Sequence, residues 1–242
     1  MKHVWLMTFL AAAAGWAQDK RPAFEAATVK VSNEPTRGSQ THGSEGQVLM
    51  RNQTLRRLVE RAYGVQPFQI IGPGWMDDVR FDVAAKFPDG TKNEDRPLMM
   101  RTLLEDRFKL AAHQETKDLP GYELVVAKGG FKLKPVKNTG GSDMRTYGGL
   151  VQTVTVKRVS IAQVADLLSS ELGTLVLDRT GIAGVYDFEF KWTNAEQAGT
   201  DADAVPSLFT AVEETVGVRL KAGKVPTPVV VVDHVERMPI EN

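Results

Sequence analysis

Apolar positions along the chain alternate between two periods, and the changes of period mark out elements. Residues 24–31 alternate as a first strand, and 48–53 form a second. Thr54 then stands before Leu55, Leu58, Val59, Ala62 and Tyr63, an i, i+3, i+4, i+7, i+8 stripe that predicts a capped helix ended by Gly64. Residues 68–71 read as a strand closed by Gly72-Pro73-Gly74. Over 80–87 the alternation is strict, with Phe81, Val83, Ala85 and Phe87 on one face and Asp82 and Lys86 on the other. Pro97 opens a helix whose buried side is Leu98, Met100, Leu103, Leu104 and Phe108. Residues 110–115 and 122–128 read as a strand pair turning around Pro120-Gly121.

The same order recurs. Residues 151–159 predict a strand, and Ser160 caps a helix with Ile161, Val164, Ala165, Leu168 and Leu172 on one stripe, ended by Gly173. Residues 174–177 predict a strand, and Asp178-Arg179-Thr180-Gly181 a turn, with Asp178 accepting from the backbone and Gly181 at positive φ. Residues 185–192 predict a strand with Tyr186, Phe188, Phe190 and Trp192 on one face and Asp187, Glu189 and Lys191 on the other. A helix opened by Pro206 and a closing strand pair around Pro226 complete the series. Thr54 and Ser160 stand 106 residues apart, as do Pro120 and Pro226, and Asp82 and Asp187 stand 105 apart. Self-similarity at a fixed offset predicts a duplication. The expected fold class is α+β, two tandem strand-helix-strand-strand-helix-strand-strand repeats with small mixed sheets packed on helix pairs. The expected boundaries are 1–17 leader, 18–128 first repeat, 129–149 linker and 150–242 second repeat. Residues 32–46 and 193–205 read as polar loops.

Residues 1–17 change the expected compartment. A basic start at Lys2 and His3, an apolar run over 4–14 and Gly15-Trp16-Ala17 have the form of a secretory signal cleaved near Ala17. The expected destination is the periplasm or the medium, with no membrane span in the mature chain. Thirty basic and thirty acidic residues give zero net charge, which argues against a nucleic-acid partner bound by bulk charge. The absence of cysteine closes disulfides, zinc-thiolate sites, thiol nucleophiles and lipoprotein anchoring.

Several strings resemble a known family. They are Leu58 to Val65 (LVERAYGV), Ile71 to Trp75 (IGPGW), Arg80 to Lys86 (RFDVAAK), Leu103 to Leu110 (LLEDRFKL), Val176 to Phe188 (VLDRTGIAGVYDF), Pro206 to Ala211 (PSLFTA) and Val232 to Glu236 (VDHVE). Together they resemble the soil-associated uncharacterised protein family, exported proteins expanded in soil acidobacteria. The resemblance covers nearly the whole mature chain and carries no transferable activity. Some relatives fuse this domain to a membrane metallopeptidase of the beta-lactam-sensor type, which implies sensing; no such peptidase is present here. The element order of each half is also similar to the short N-terminal domain of secretins and TonB-dependent receptors, which binds proteins and is not an enzyme.

Candidate chemistry is sparse. His113 and Glu115 share a strand face, and a metal would need a third ligand such as His234 or Asp233. There is no Gly-x-Ser-x-Gly elbow, no His-Glu-x-x-His helix, no Walker loop and no dinucleotide fingerprint. Asp82 and Asp187 read as a shared fold feature. Candidate binding residues are Trp75, Trp192 and the carboxylates Asp187 and Glu189. The expected function is a non-enzymatic, periplasmic protein- or ligand-binding module, with envelope sensing as one role for it, no cofactor, and an envelope protein or small ligand as partner. The alternatives are an envelope hydrolase or metal-dependent enzyme using His113, Glu115 and His234, and a structural envelope protein.

Overall fold

The computed structural model describes residues 21–33, 38–44, 46–193 and 205–240; residues 1–17, and with them the expected leader, lie outside these, as do 194–204 of the second polar loop. The fold is α+β. Strands β1 (Ala26–Val31), β2 (Gln40–Gly43), β3 (Gln47–Thr54) and β5 (Arg80–Lys86) make a first sheet in the order β1-β5-β3-β2. Strands β7 (Asp143–Gly148), β8 (Val151–Val159) and β10 (Tyr186–Thr193) make a second in the order β10-β8-β7. The third sheet contains β4 (Ile70–Ile71), β6 (Ala111–Val126), β9 (Val176–Asp178) and β11 (Val218–His234), in the order β4-β11-β6-β9.

Helices α1 (Leu55–Tyr63), α2 (Arg96–Phe108), α3 (Ile161–Leu172) and α4 (Leu208–Val216) form where the stripes predict them. Thr54 Oγ1 accepts from the Arg57 amide, Ser160 makes a reciprocal capping box with Gln163, and Gly64 and Gly173 close their helices in the left-handed conformation. The turn at Asp178 forms as expected: its Oδ1 accepts from the Thr180 amide at 2.9 Å and the Thr180 hydroxyl at 2.7 Å, and Gly181 has φ 68°.

Three expectations require correction. First, 110–128 and 218–235 do not fold as two hairpins. Each supplies one long strand, and the two pair antiparallel with each other from Val218↔Val126 to Val232↔Ala112. The physical reason lies in where the prolines fall. Tyr122 donates its amide to Leu175 O, away from β11, so even-numbered amides of β6 point outward. Pro120, Pro226 and Pro228, paired with Lys224, Asp118 and Thr116, sit on that outward alternation. The outer strands reach only Tyr122–Leu124 and Val230–Val231, so in the waist between them a missing N–H costs no ladder bond. Gly121 is needed there for a separate reason. A Cβ would strike the Val225 side chain and stand 2.6 Å from Leu175 O.

Second, the expected linker is folded. It carries β7, which pairs with β8 from Asp143↔Lys157 to Gly148↔Gln152, while Phe131 and Leu133 pack on the neighbouring core. Third, the polar loop at 32–46 contains β2, paired with β3.

The long ribbon ties two cores together. The first core joins Leu55, Leu58, Val59, Ala62, Met100, Leu104 and Phe108 from α1 and α2 to Phe81 of β5 and to Val230 and Val232 of β11. The second joins Val164, Leu168 and Val212 from α3 and α4 to Phe190 and Trp192 of β10 and to Leu124 of β6. Each core therefore takes a strand from the far half of the chain.

The paired aspartates have a structural task. Asn52 and Arg158, 106 residues apart, are left-handed non-glycine residues with φ 56° and 53°, a conformation that costs a side-chain-bearing residue about 1–2 kcal/mol. Each sits where its strand slips register against a neighbour. Asp82 Oδ1 accepts the Asn52 amide at 2.8 Å, and Asp187 Oδ1 accepts the Arg158 amide at 2.7 Å. These charge-assisted bonds offset the cost and aim each strand into its helix.

Candidate functional site

The residues singled out from the sequence do not converge. Trp192 is a core residue at 3% exposure, its ring centre 5.6 Å from that of Phe190 and tilted against it, and offers no binding surface. Asp187 holds its bulge, and Glu189 accepts the Thr155 hydroxyl at 3.1 Å. Trp75 packs against the other core, with the Arg237 guanidinium 5.9 Å from its ring centre. Of the candidate binding residues, Trp75 therefore lies at the first core, and Asp187, Glu189 and Trp192 lie on β10 at the second.

His113, Glu115 and His234 also fail to meet as a trio. His113 Nδ1 lies 2.8 Å from Asp233 Oδ2, and its Nε2 is 3.8 Å from Glu115 Oε1. Glu115 is engaged by Lys117 at 2.9 Å, whereas His234 pairs with Glu236 at 3.2 Å. Among the described residues no cluster of three or more His, Asp or Glu side chains is placed to hold a metal ion.

The His113–Asp233 pair does set a charge. The Asp233 hydrogen bond, opposed by desolvation and Lys117 and reinforced by the nearby Asp233 and Glu115 charges, raises the imidazole above the ordinary histidine value of 6.5. A raised value means that the imidazolium form is the one the fold favours. The contribution is complete below the unfolded-state value and disappears as pH rises through the folded one. A histidine NMR titration of the chain will show a His113 midpoint above 6.5, and Asp233→Asn will return it towards that value. An unchanged midpoint in the variant would remove Asp233 as the cause.

At the surface of the first core lies a half-open cavity of about 720 Å³ that the sequence did not announce. Its apolar wall comes from Phe24, Val48, Met50, Phe87 and Met100, with Phe24 and Phe87 5.4 Å apart. Strand β2 contributes Thr41 and Gly43, the β2–β3 connection Ser44, the turn before α2 Asn93, and the first turn of α2 Arg96 and Pro97. Arg61, in the last turn of α1, donates to Thr41 Oγ1 at 2.9 Å. Arg96, the first residue of α2, lays its guanidinium 4.7 Å from the Phe87 ring centre. The cavity size falls within the range of small-molecule sites, which are mostly apolar with a few placed polar groups. Arg61 falls within one predicted helix and Arg96 one residue before the other, and the sequence pattern singles out neither.

No described helix is long and apolar enough to cross a membrane. A family model described as "Protein of unknown function (DUF3738)" matches residues 56–235, a span that runs through both cores. No curated protein and no solved structure matches the chain.

Proposed function

The chain belongs to the DUF3738 family, and we propose that it acts as an exported, non-enzymatic binding module of the bacterial envelope that takes a small ligand in the first core. The observation that carries this reading is the cavity walled by Phe24, Val48, Met50, Phe87 and Met100 and edged by two arginines. Export is supported by the signal-like pattern of residues 1–17, and an acidobacterial envelope setting by the strings shared with the soil-associated proteins. The joining of a helix pair to two small sheets in each core supports the likeness to the secretin-type N-terminal domain. That likeness favours binding over catalysis, and ligand capture over strand addition follows from the cavity.

The test is native mass spectrometry of the chain purified from the periplasm of an expressing bacterium. The expected result is a leaderless chain carrying a small molecule that denaturation releases, and loss of that molecule from Val48→Trp, which fills the cavity without touching either arginine. A chain that carries nothing, and whose melting temperature no member of a metabolite library raises, would overturn the reading.

A further inference from the structure

The ligand class can be read from the charges on the cavity wall. We infer that the cavity binds an amphipathic anion, a carboxylate head on a hydrocarbon or aromatic body, with Arg61 and Arg96 as the head-group clamp. The inference rests on the ligand-binding reading above and names the class of ligand that the site would take.

Both arginines reach the cavity, and neither has a carboxylate partner among the described residues. Arg61 spends one N–H on the Thr41 hydroxyl. The Nε of Arg96 is buried and has no hydrogen-bond partner. A guanidinium presents five donors in a planar fork, and a buried donor left unpaired costs about 1–3 kcal/mol. Stacking on Phe87 covers the face of the Arg96 group and leaves its terminal N–H groups, which no described residue accepts from, for a ligand. Glu60, next to Arg61 on α1, feels the charge of that guanidinium but forms no ion pair with it and does not line the cavity; the acids next to Arg96 are Glu94 and Asp95, on the 3₁₀ turn Asn93–Asp95. Glu94 is paired with Lys92 at 3.5 Å, and neither acid lines the cavity.

The rest of the wall decides against a bare anion. Phe24, Val48, Met50, Phe87 and Met100 offer a hydrophobic surface that phosphate or sulfate would leave wet, whereas an alkyl or aryl body would cover it. Thr41, Ser44 and Asn93 add a hydroxyl pair and an amide at the same opening, suited to the oxygen lone pairs that two guanidinium groups leave free. A cationic amphiphile would meet two like charges.

The test is isothermal calorimetry on the delipidated full-length mature chain with four probes of known identity: decanoate, 1-decanol, decylammonium and inorganic phosphate. Decanoate is expected to bind at least about tenfold more tightly than 1-decanol, the difference a charge-assisted bond supplies. Decylammonium and phosphate are expected to give no measurable heat. Arg96→Gln and Arg61→Gln should each lose that margin while leaving 1-decanol binding unchanged, and Arg96→Lys should restore part of it. Thermal melts of each variant report whether the fold is intact.

Equal binding of decanoate and 1-decanol would overturn the inference and leave the ligand-binding reading standing. Phosphate binding as tight as decanoate would overturn it in favour of a simple anion site. Absence of binding by all four probes would also overturn it, and the native mass spectrum would then decide separately whether a ligand of another class occupies the cavity.

Discussion

Expressed separately, residues 21–128 and 129–240 will each fail to fold, and mixing them will restore the native spectrum. The first fragment contains α1, α2 and β6 but lacks β11, whose Val230 is wholly buried and whose Val232 is nearly so in the first core. The second contains α3, α4 and β11 but lacks Leu124, wholly buried in the second core. Each fragment would also lose one side of a ribbon that pairs continuously over most of its length. Strands without partners expose both backbone groups and an apolar face, and small domains have little stability to spare. The measurement is amide dispersion in two-dimensional NMR spectra of each fragment and of their mixture. A cooperative thermal transition in the isolated first fragment would show that its core closes without β11.

Leu124→Ala will destabilise the chain by about 2–5 kcal/mol, the range for emptying a buried leucine site, and will do so through the second core. Leu124 stands on β6, ahead of α3 and α4 in the chain, yet it packs with both and faces Leu220 across the ribbon. In a chain of this length the melting temperature should fall by roughly 2–4 °C per kcal/mol. A double-mutant cycle locates the effect. Leu124→Ala should couple to Leu220→Ala by about 0.5–3 kcal/mol, and its effect should add to that of Leu104→Ala, which empties the other core. Additivity with Leu220 and coupling to Leu104 would contradict the crossing of strands between cores.

The contrast between Leu124 and Leu104 separates what is local from what is not. Leu104 was placed correctly by its helical stripe, since residues three and four apart share a helix face whatever lies opposite. The caps at Thr54 and Ser160, the terminators Gly64 and Gly173 and the turn at Asp178 were legible for the same reason: each is completed by atoms within a few residues. The pairing of Asp82 with Asp187 was visible as an offset, but its purpose was not. The amides that they hold belong to Asn52 and Arg158, about thirty residues earlier in each case.

The candidate site was far less legible. Trp192 looked like an exposed aromatic because a strand pattern gives its inner face without saying which end of that face is covered, and the core covers it. His113 and Asp233 were weighed as metal ligands, and the two form a hydrogen-bonded pair with each other. The cavity draws on Phe24, Thr41, Arg61, Phe87 and Arg96, residues whose common wall exists only after sheet and helices meet.

By itself the sequence determined the α+β class, the four helices, the caps at Thr54 and Ser160 and the alternating strands, because hydrophobic period, capping and turn chemistry act over one or two turns of chain. Only the tertiary structure decided that Pro120-Gly121 and Pro226 lie inside long strands, that each core borrows a strand from the other half, and that two arginines open onto one cavity. Those outcomes depend on which backbone lies alongside which, and for β6 and β11 that partner is about a hundred residues away.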